Sequence, residues 1–375
     1  MKSAKIRIAA LCCLILGAGV WLASCGGGGG GASSTPTGSV GLFMTDAPQT
    51  GDGFTQISAL VNSVTLLNTG SGASCTVFSN AASPLEVNFA DLSNVVELVK
   101  TSNCQAGSFN RIELGFSNAV GVSQGGLSNA CAFISSGQPN QPNTMSCSGN
   151  TCTMDINGAV NSIQVLANKN NQVGLDFDLR HSTVTGFGTS ACTVALTVSP
   201  LDASGLNGKG FPSSVSGTIS AAVGNTVTIN TGTRYFTINA GAGGQTGLSQ
   251  LMQFARQNGF PALANCTGAG FDFDAGTCQA SEALATVSGT VSGLSNTGST
   301  YTFTLTPKSG PAITVSVPTS AVEGALGNGG LAVAKVSSFN NTGTYSASQV
   351  ESFAGMGPLG TLGASGMPDG GMPMM

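Results

Sequence analysis

From Val40 onward, apolar and polar positions mostly alternate. Val40, Leu42 and Met44 alternate, as do Ile112, Leu114 and Phe116, and later Cys192, Val194, Leu196 and Val198. Alternation over four to eight residues is the period of a half-buried strand, whose successive side chains point to opposite faces. Two segments depart from it. Leu92, Val95 and Val96 have helical spacing, which predicts a short helix within Asp91 to Lys100. Leu248, Leu251, Met252 and Ala255 fall on one helical face, and Gly259 is placed to end that helix. Ser148-Gly149-Asn150-Thr151, between Cys147 and Cys152, predicts a hairpin turn.

The second half contains an internal repeat. Val215-Ser216-Gly217-Thr218-Ile219-Ser220 returns 72 residues later as Val287-Ser288-Gly289-Thr290-Val291-Ser292. Each copy leads into a predicted strand pair. The pattern therefore predicts an all-β protein. A β-sandwich-like domain spans 38–203, and a linker covers 204–213. Two small β-barrel-like modules follow at 214–285 and 286–353, the first with a short helical insertion. The Gly-, Pro- and Met-rich tail, 354–375, is predicted to be disordered.

The N-terminus carries a different signal. Lys2, Lys5 and Arg7 precede an apolar run from Ile8 to Ala23, shorter than the roughly 20 residues of a spanning helix. The run ends in Leu22-Ala23-Ser24-Cys25, which resembles the lipobox of bacterial lipoproteins. The resemblance implies a signal peptide at 1–24 and lipidation of Cys25. Anchoring then rests on acyl chains such as palmitate, at about 0.8 kcal/mol per buried methylene. Residues 25–37, rich in Gly and Ser, read as a tether. Gly26 in place of an acid resembles the pattern sorted to the outer membrane. The expected location is the bacterial cell envelope, with the membrane as a partner through the N-terminal lipid.

Composition narrows the classes further. The leader holds three of the 12 basic residues and none of the 16 acids, so the remaining 351 residues carry a net charge of −7. That argues against nucleic acid as a partner. Only 7% of residues are charged, and the single Trp leaves with the signal, so an aromatic sugar-binding platform is disfavoured. Eight cysteines remain after the anchor: Cys75, Cys104, Cys131, Cys147, Cys152, Cys192, Cys266 and Cys278. An even count in an exported chain predicts disulfides. Cys266 and Cys278, isolated in the second half, are predicted to pair. The other six allow 15 connectivities, among which sequence does not choose.

Gly41-Leu42-Phe43-Met44-Thr45-Asp46-Ala47-Pro48 resembles the opening signature of the family called domain of unknown function 4382, largely bacterial lipoproteins. Ala106 to Leu114, Leu175 to Ser182 and the strand ending Val198-Ser199-Pro200 agree with it. The resemblance covers about 38–203. The stretch Cys131 to Cys152 departs from it. The repeats, over about 214–352, more faintly resemble the small barrels of domain of unknown function 5666. Neither resemblance implies an activity.

Candidate chemistry is sparse. His181 is the only histidine, Gly-x-Ser-x-Gly is absent as a strand-to-helix elbow, and no glycine run is followed by Lys-Ser or Lys-Thr. Asp46 suits an Asx turn with Pro48. On a continuous strand Asp176, Asp178 and Arg180 share one face, where the two carboxylates could hold Ca2+ or be neutralised by Arg180 or Arg111. Asp272-Phe273-Asp274 reads as a solvated turn. The expected role is non-catalytic, with no cofactor required. It is a structural, adhesive or ligand-binding protein whose envelope partner is a protein or polysaccharide. The alternative is a hydrolase acting on envelope or extracellular polymer, marked by convergent acids in a pocket with an apolar wall.

Overall fold

A computed structural model describes residues 35–46, 54–93, 95–125, 127–134, 136–137, 143–157, 163–201, 206, 213–240, 247–339 and 343–353. The signal peptide, Cys25, most of the tether, Pro48, most of the predicted linker and the tail lie outside them. Among the described residues no helix is long and apolar enough to cross a membrane.

The first half is a sandwich of two sheets. Its strands are β1 (Thr37–Thr45), β2 (Phe54–Leu67), β3 (Ser74–Ser79), β4 (Leu85–Asn88), β5 (Val96–Gln105), β6 (Arg111–Gln124), β7 (Leu127–Phe133), β8 (Asn143–Ser148), β9 (Thr151–Asn157), β10 (Asn170–Phe177) and β11 (Val198–Leu201). One sheet runs β11–β10–β1–β5, with β1 and β10 parallel. The other is built on the long antiparallel pair β2 and β6, extended by β3, β4, β7, β9 and β8. Val40, Leu42 and Met44 of β1 enter the core between the sheets, against Ile57, Val61, Leu114 and Phe116.

The segment predicted as a helix at 91–100 folds otherwise. A 3-10 turn covers Phe89–Leu92, and β5 begins at Val96. Val96 and Leu98 pair with Thr45 and Phe43, so cross-strand pairing overrides the local helical spacing. The alternation Cys192 to Val198 also divides. Thr193–Ala195 joins β7, whereas β11 joins β10, so the chain changes sheet between them. All four alternating residues are buried, because each sheet keeps the same inward phase.

The second half is two closed barrels. Its elements are β12 (Ser213–Val223), β13 (Thr226–Asn230), β14 (Tyr235–Ala240), α1 (Leu248–Asn258), β15 (Pro261–Asp272), β16 (Thr277–Asn296), β17 (Thr300–Thr306), β18 (Ile313–Pro318), β19 (Val322–Glu323), β20 (Leu331–Phe339) and β21 (Thr344–Phe353). In the first barrel β12, β13 and β14 form a meander, β14 pairs parallel with β16, and β15 closes the ring between β16 and β12. In the second, β16, β17 and β18 form the meander, β18 pairs parallel with β21, and β20 closes onto β16. Both rings have the order first–second–third–fifth–fourth, and α1 lies between the third and fourth strands of the first barrel. That is the arrangement of an OB-fold. The strand β16, 20 residues long, is the last strand of one barrel and the first of the other. Ala285 pairs with Ala262 on the first barrel and with Val336 on the second.

The helix α1 buries Leu248, Leu251, Met252 and Ala255, and Gly259 ends it at φ 73° with its N–H on the Ala255 and Arg256 carbonyls. The repeat explains its two glycines. A Cβ on Gly217 would lie 2.5 Å from the Asn230 carbonyl oxygen, and one on Gly289 would lie 2.5 Å from that of Thr306. Strand backbones approach there too closely for any side chain.

Barrel and sandwich form one unit. Ser213–Val215 pairs in parallel with Val96–Leu98, and Leu206 is buried against the same core as the first barrel. Phe43 turns to the outer face of β1 and meets Phe273 edge-on, ring centroids 5.4 Å apart. Any Cβ on Gly41 would collide with the Phe273 ring. The Asp272–Asp274 turn is therefore a docking element: Phe273 is buried, and Asn170 donates to Asp274 Oδ1 at 3.1 Å.

A candidate ligand cavity between sandwich and barrels

The repeat places the same residues at one cavity twice. Ser216-Gly217-Thr218 of β12 and Ser288-Gly289-Thr290 of β16 both line a cavity of about 910 Å³. Facing them are β4, β5 and the Phe89–Leu92 turn of the sandwich. Because side chains alternate along β16 and β20, Val287, Val291, Ala332 and Ala334 fill the barrels, while Ser288, Leu331, Val333 and Lys335 turn outward into the junction. Leu60, Val87, Leu92 and Val99 supply an apolar wall.

The charged lining sets four acids, Glu86, Asp91, Glu97 and Glu351, against Lys100, Lys308 and Lys335. Ser288 Oγ donates to Glu86 Oε1 at 2.5 Å. Burial pushes the Glu86 carboxyl up to about 7, against the pull of that hydrogen bond. Glu97 is paired in the same way with Ser216, the equivalent serine of the first copy, and burial raises it as well. Deeper in, Lys335 Nζ lies 2.7 Å from Asp91 Oδ2 and 2.8 Å from Glu351 Oε1. Burial would raise Asp91, but the Lys335 charge and several hydrogen bonds outweigh it and hold the carboxyl below the usual range. Burial and then the Asp91 charge push Glu351 well up.

The face proposed to carry Asp176, Asp178 and Arg180 does not run on as one strand. The strand β10 ends at Phe177. Asp178 begins a turn in which its carbonyl accepts the His181 and Ser182 N–H groups. Its Oδ1 accepts the Arg180 N–H at 3.1 Å, and its Oδ2 lies 2.6 Å from His181 Nδ1. Partial burial would raise Asp178, but hydrogen bonds from His181 and Arg180 outweigh it and lower the carboxyl. Asp176 stays on the strand, opposite Thr45. Among the described residues no group of three or more His, Cys, Asp or Glu side chains is arranged to hold a metal ion. Asp46 is fully buried, and its Oδ1 accepts the Leu179 N–H at 3.1 Å, so it fixes this turn from another strand. Because Arg180 is about half exposed, Arg180→Ala should cost less than about 1 kcal/mol in urea unfolding. Millimolar Ca2+ should leave the melting temperature unchanged. A calcium-dependent rise abolished by Asp176→Asn would contradict this.

The eight cysteines form four disulfides. Cys75–Cys104 joins β3 to β5 across the two sheets, Cys131–Cys192 joins β7 to the crossing segment, Cys147–Cys152 closes the β8–β9 hairpin, and Cys266–Cys278 ties β15 to β16.

With the cavity's sandwich wall defined, comparison with known families becomes specific. Residues 37–194 match the model of a family described as Domain of unknown function (DUF4382). The matched region runs from the start of β1 to the segment that crosses between sheets, and so includes Glu86, Asp91 and Glu97. It stops short of both barrels. No curated protein and no solved structure matches the chain. The matched region thus contributes one wall of the cavity, and the repeat contributes the other.

None of the cavity acids stands out in the sequence as a site. The available signal is placement. Glu86, Glu97, Lys335 and Glu351 each sit inside an apolar strand segment of a chain with few charges, as in Leu85-Glu86-Val87 and Ala334-Lys335-Val336.

Proposed function

We propose that this is a lipid-anchored protein of the bacterial cell envelope, sorted to the outer membrane, with a non-catalytic ligand-binding role seated in the junction cavity. The cavity carries the reading. Its volume lies within the range of small-molecule sites, and it combines an apolar wall with a few convergent polar groups. Its lining mixes carboxyls, lysines and many Ser and Thr hydroxyls, which suits a ligand with several polar groups such as an amine or a polyhydroxylated molecule. The N-terminal pattern ending at Cys25 supports export and anchoring, and the net negative charge disfavours nucleic acid.

A hydrolase acting on envelope polymer is the second reading. One observation favours it: Glu86, titrating near neutrality, shares a cavity with Asp91, which is held ionised. Two carboxyls pushed apart in this way are the starting point of acid–base catalysis. Against it, Glu86 and Glu97 are each engaged by a serine, and Asp91 is engaged by Lys335.

Titration calorimetry of the purified lipoprotein with spermidine and with chitotetraose separates these readings. Saturable binding of either probe, weakened by Glu86→Gln, supports the ligand-binding role. Cleavage of chitotetraose, abolished by the same change, supports the hydrolase. Neither binding nor cleavage of any probe would remove the cavity from consideration. Anchoring is tested separately. Cys25→Ala should leave the protein soluble or as uncleaved precursor, and mass spectrometry of the wild-type N-terminus should find acylated Cys25. An unmodified N-terminus would refute the anchor.

A further inference from the structure

The second barrel meets the sandwich through a small apolar cluster, one charged cluster and neutral hydrogen bonds, among them Gln56 Nε2 to the Ser352 carbonyl and the Ala325 N–H to Ser128 Oγ, each at 2.7 Å. Leu60 and Ala119 of the sandwich pack with Leu331, Val333 and Phe353 of the barrel. Beside them, Lys335 Nζ donates to Asp91 Oδ2 at 2.7 Å, and to Glu351 Oε1 and Gln349 Oε1 at 2.8 Å each. The Gln349 amide donates to Glu323 Oε1 at 2.6 Å and to Asp91 Oδ2 at 3.1 Å. Asn88 donates to Glu323 Oε2 at 2.8 Å and to Asp91 Oδ1 at 3.2 Å.

Asp91 thus shares its donors with two more carboxyls: Asn88 and Gln349 with Glu323, and Lys335 with Glu351. Carboxylates crowded on shared donors repel one another, which favours a proton on those not held ionised. With Asp91 held ionised by Lys335 and both glutamates raised, protons on Glu323 and Glu351 leave the cluster electrically neutral. Removing both protons leaves three carboxylates around one ammonium in a partly desolvated junction. Glu86 from β4 and Glu97 from β5 face the same space and add negative charge. Lys100 and Lys308 also line it, the latter donating to the Ala82 carbonyl.

We propose that this cluster is a pH-operated clasp, which holds the second barrel against the sandwich and the cavity closed in mildly acidic medium and releases both as the medium turns alkaline. The clasp does not depend on what occupies the cavity. Burial, with Asp91 adding to it, moves Glu323 up to about 7. A carboxyl raised in the closed state stabilises that state fully below its ordinary value and loses the contribution as pH rises through the raised one. Taking 4.5 for the open state and 7 for the closed one, Glu323 alone lowers the closed-to-open ratio about thirtyfold between pH 5.5 and pH 8.5.

Hydrogen–deuterium exchange of the full lipoprotein in detergent, corrected for intrinsic rates, tests the clasp. Protection of residues 85–88 and 331–353 should fall at least about tenfold from pH 5.5 to pH 8.5, while that of 112–116 and 152–156 stays constant. In Glu323→Gln with Glu351→Gln, which mimics the protonated pair, the fall should disappear. Constant junction protection in the wild type would overturn the proposal, and that arm needs no variant to fold. A fall that spreads evenly over the whole chain, or that persists in the double variant, would overturn it too.

Discussion

Lys335→Met should cost about 3 to 5 kcal/mol at pH 6.5, because it removes the one cation beside an ionised Asp91. Lys335 is 16% exposed and touches both Asp91 and Glu351, so water replaces little of what is lost. Asp91 suffers most, since it is held ionised by that lysine. The sign of the pH dependence follows. Asp91, lowered in the wild type, contributes stability above its ordinary value of 3.8 and loses it as pH falls through the folded one. Without Lys335 that contribution is gone at neutral pH, and protonation relieves the unpaired charge. The deficit of the variant should therefore shrink towards pH 5, and Asp91→Asn added to it should recover part of the loss. Urea unfolding at the two pH values measures this. A deficit under about 1 kcal/mol at pH 6.5 would show that the cluster is solvated.

Replacing Cys75 and Cys104 together by alanine should cost about 3 to 4 kcal/mol, the chain-entropy value for a loop of this length. The pair is 29 residues apart and joins strands of opposite sheets, so it limits how far the sandwich can open in the unfolded chain. Both cysteines are buried, at 7% and 1% exposure, which adds lost packing to the entropic effect. Thermal or urea unfolding of the double variant under oxidising conditions, with the other three bridges intact, gives the value. A change below about 1 kcal/mol would mean that the sheets are held by their core alone.

The strands were legible because alternation and burial agree along them, as in Val40, Leu42 and Met44. The helix α1 was legible because an apolar face and a terminal glycine coincide. Leu92, Val95 and Val96 misled because a tight turn entering a strand can produce the same spacing by chance. Arg180 misled differently: the alternation of Leu175, Phe177 and Leu179 continues in sequence after the backbone has turned at Asp178. The cavity was not legible. Alternation shows that Glu86 or Lys335 points away from its own core, but not whether water or another barrel lies there. The repeat was visible in the sequence, yet only the fold shows its two serines meeting Glu97 and Glu86.

The shared strand also limits where this chain can change length. From Ala283 to Val291 the odd-numbered residues face the barrel interiors, while Thr286, Ser288 and Thr290 face the cavity. One extra residue near Ala285 would exchange the two sets on everything downstream, placing hydroxyls inside the second barrel and valines in the cavity. Gly298 and Gly310, at or beside hairpin turns with positive φ, face no such restriction. Lineages carrying this architecture should therefore vary in length at the hairpin tips and hold β16 at constant length, so that the two barrels are gained or lost together.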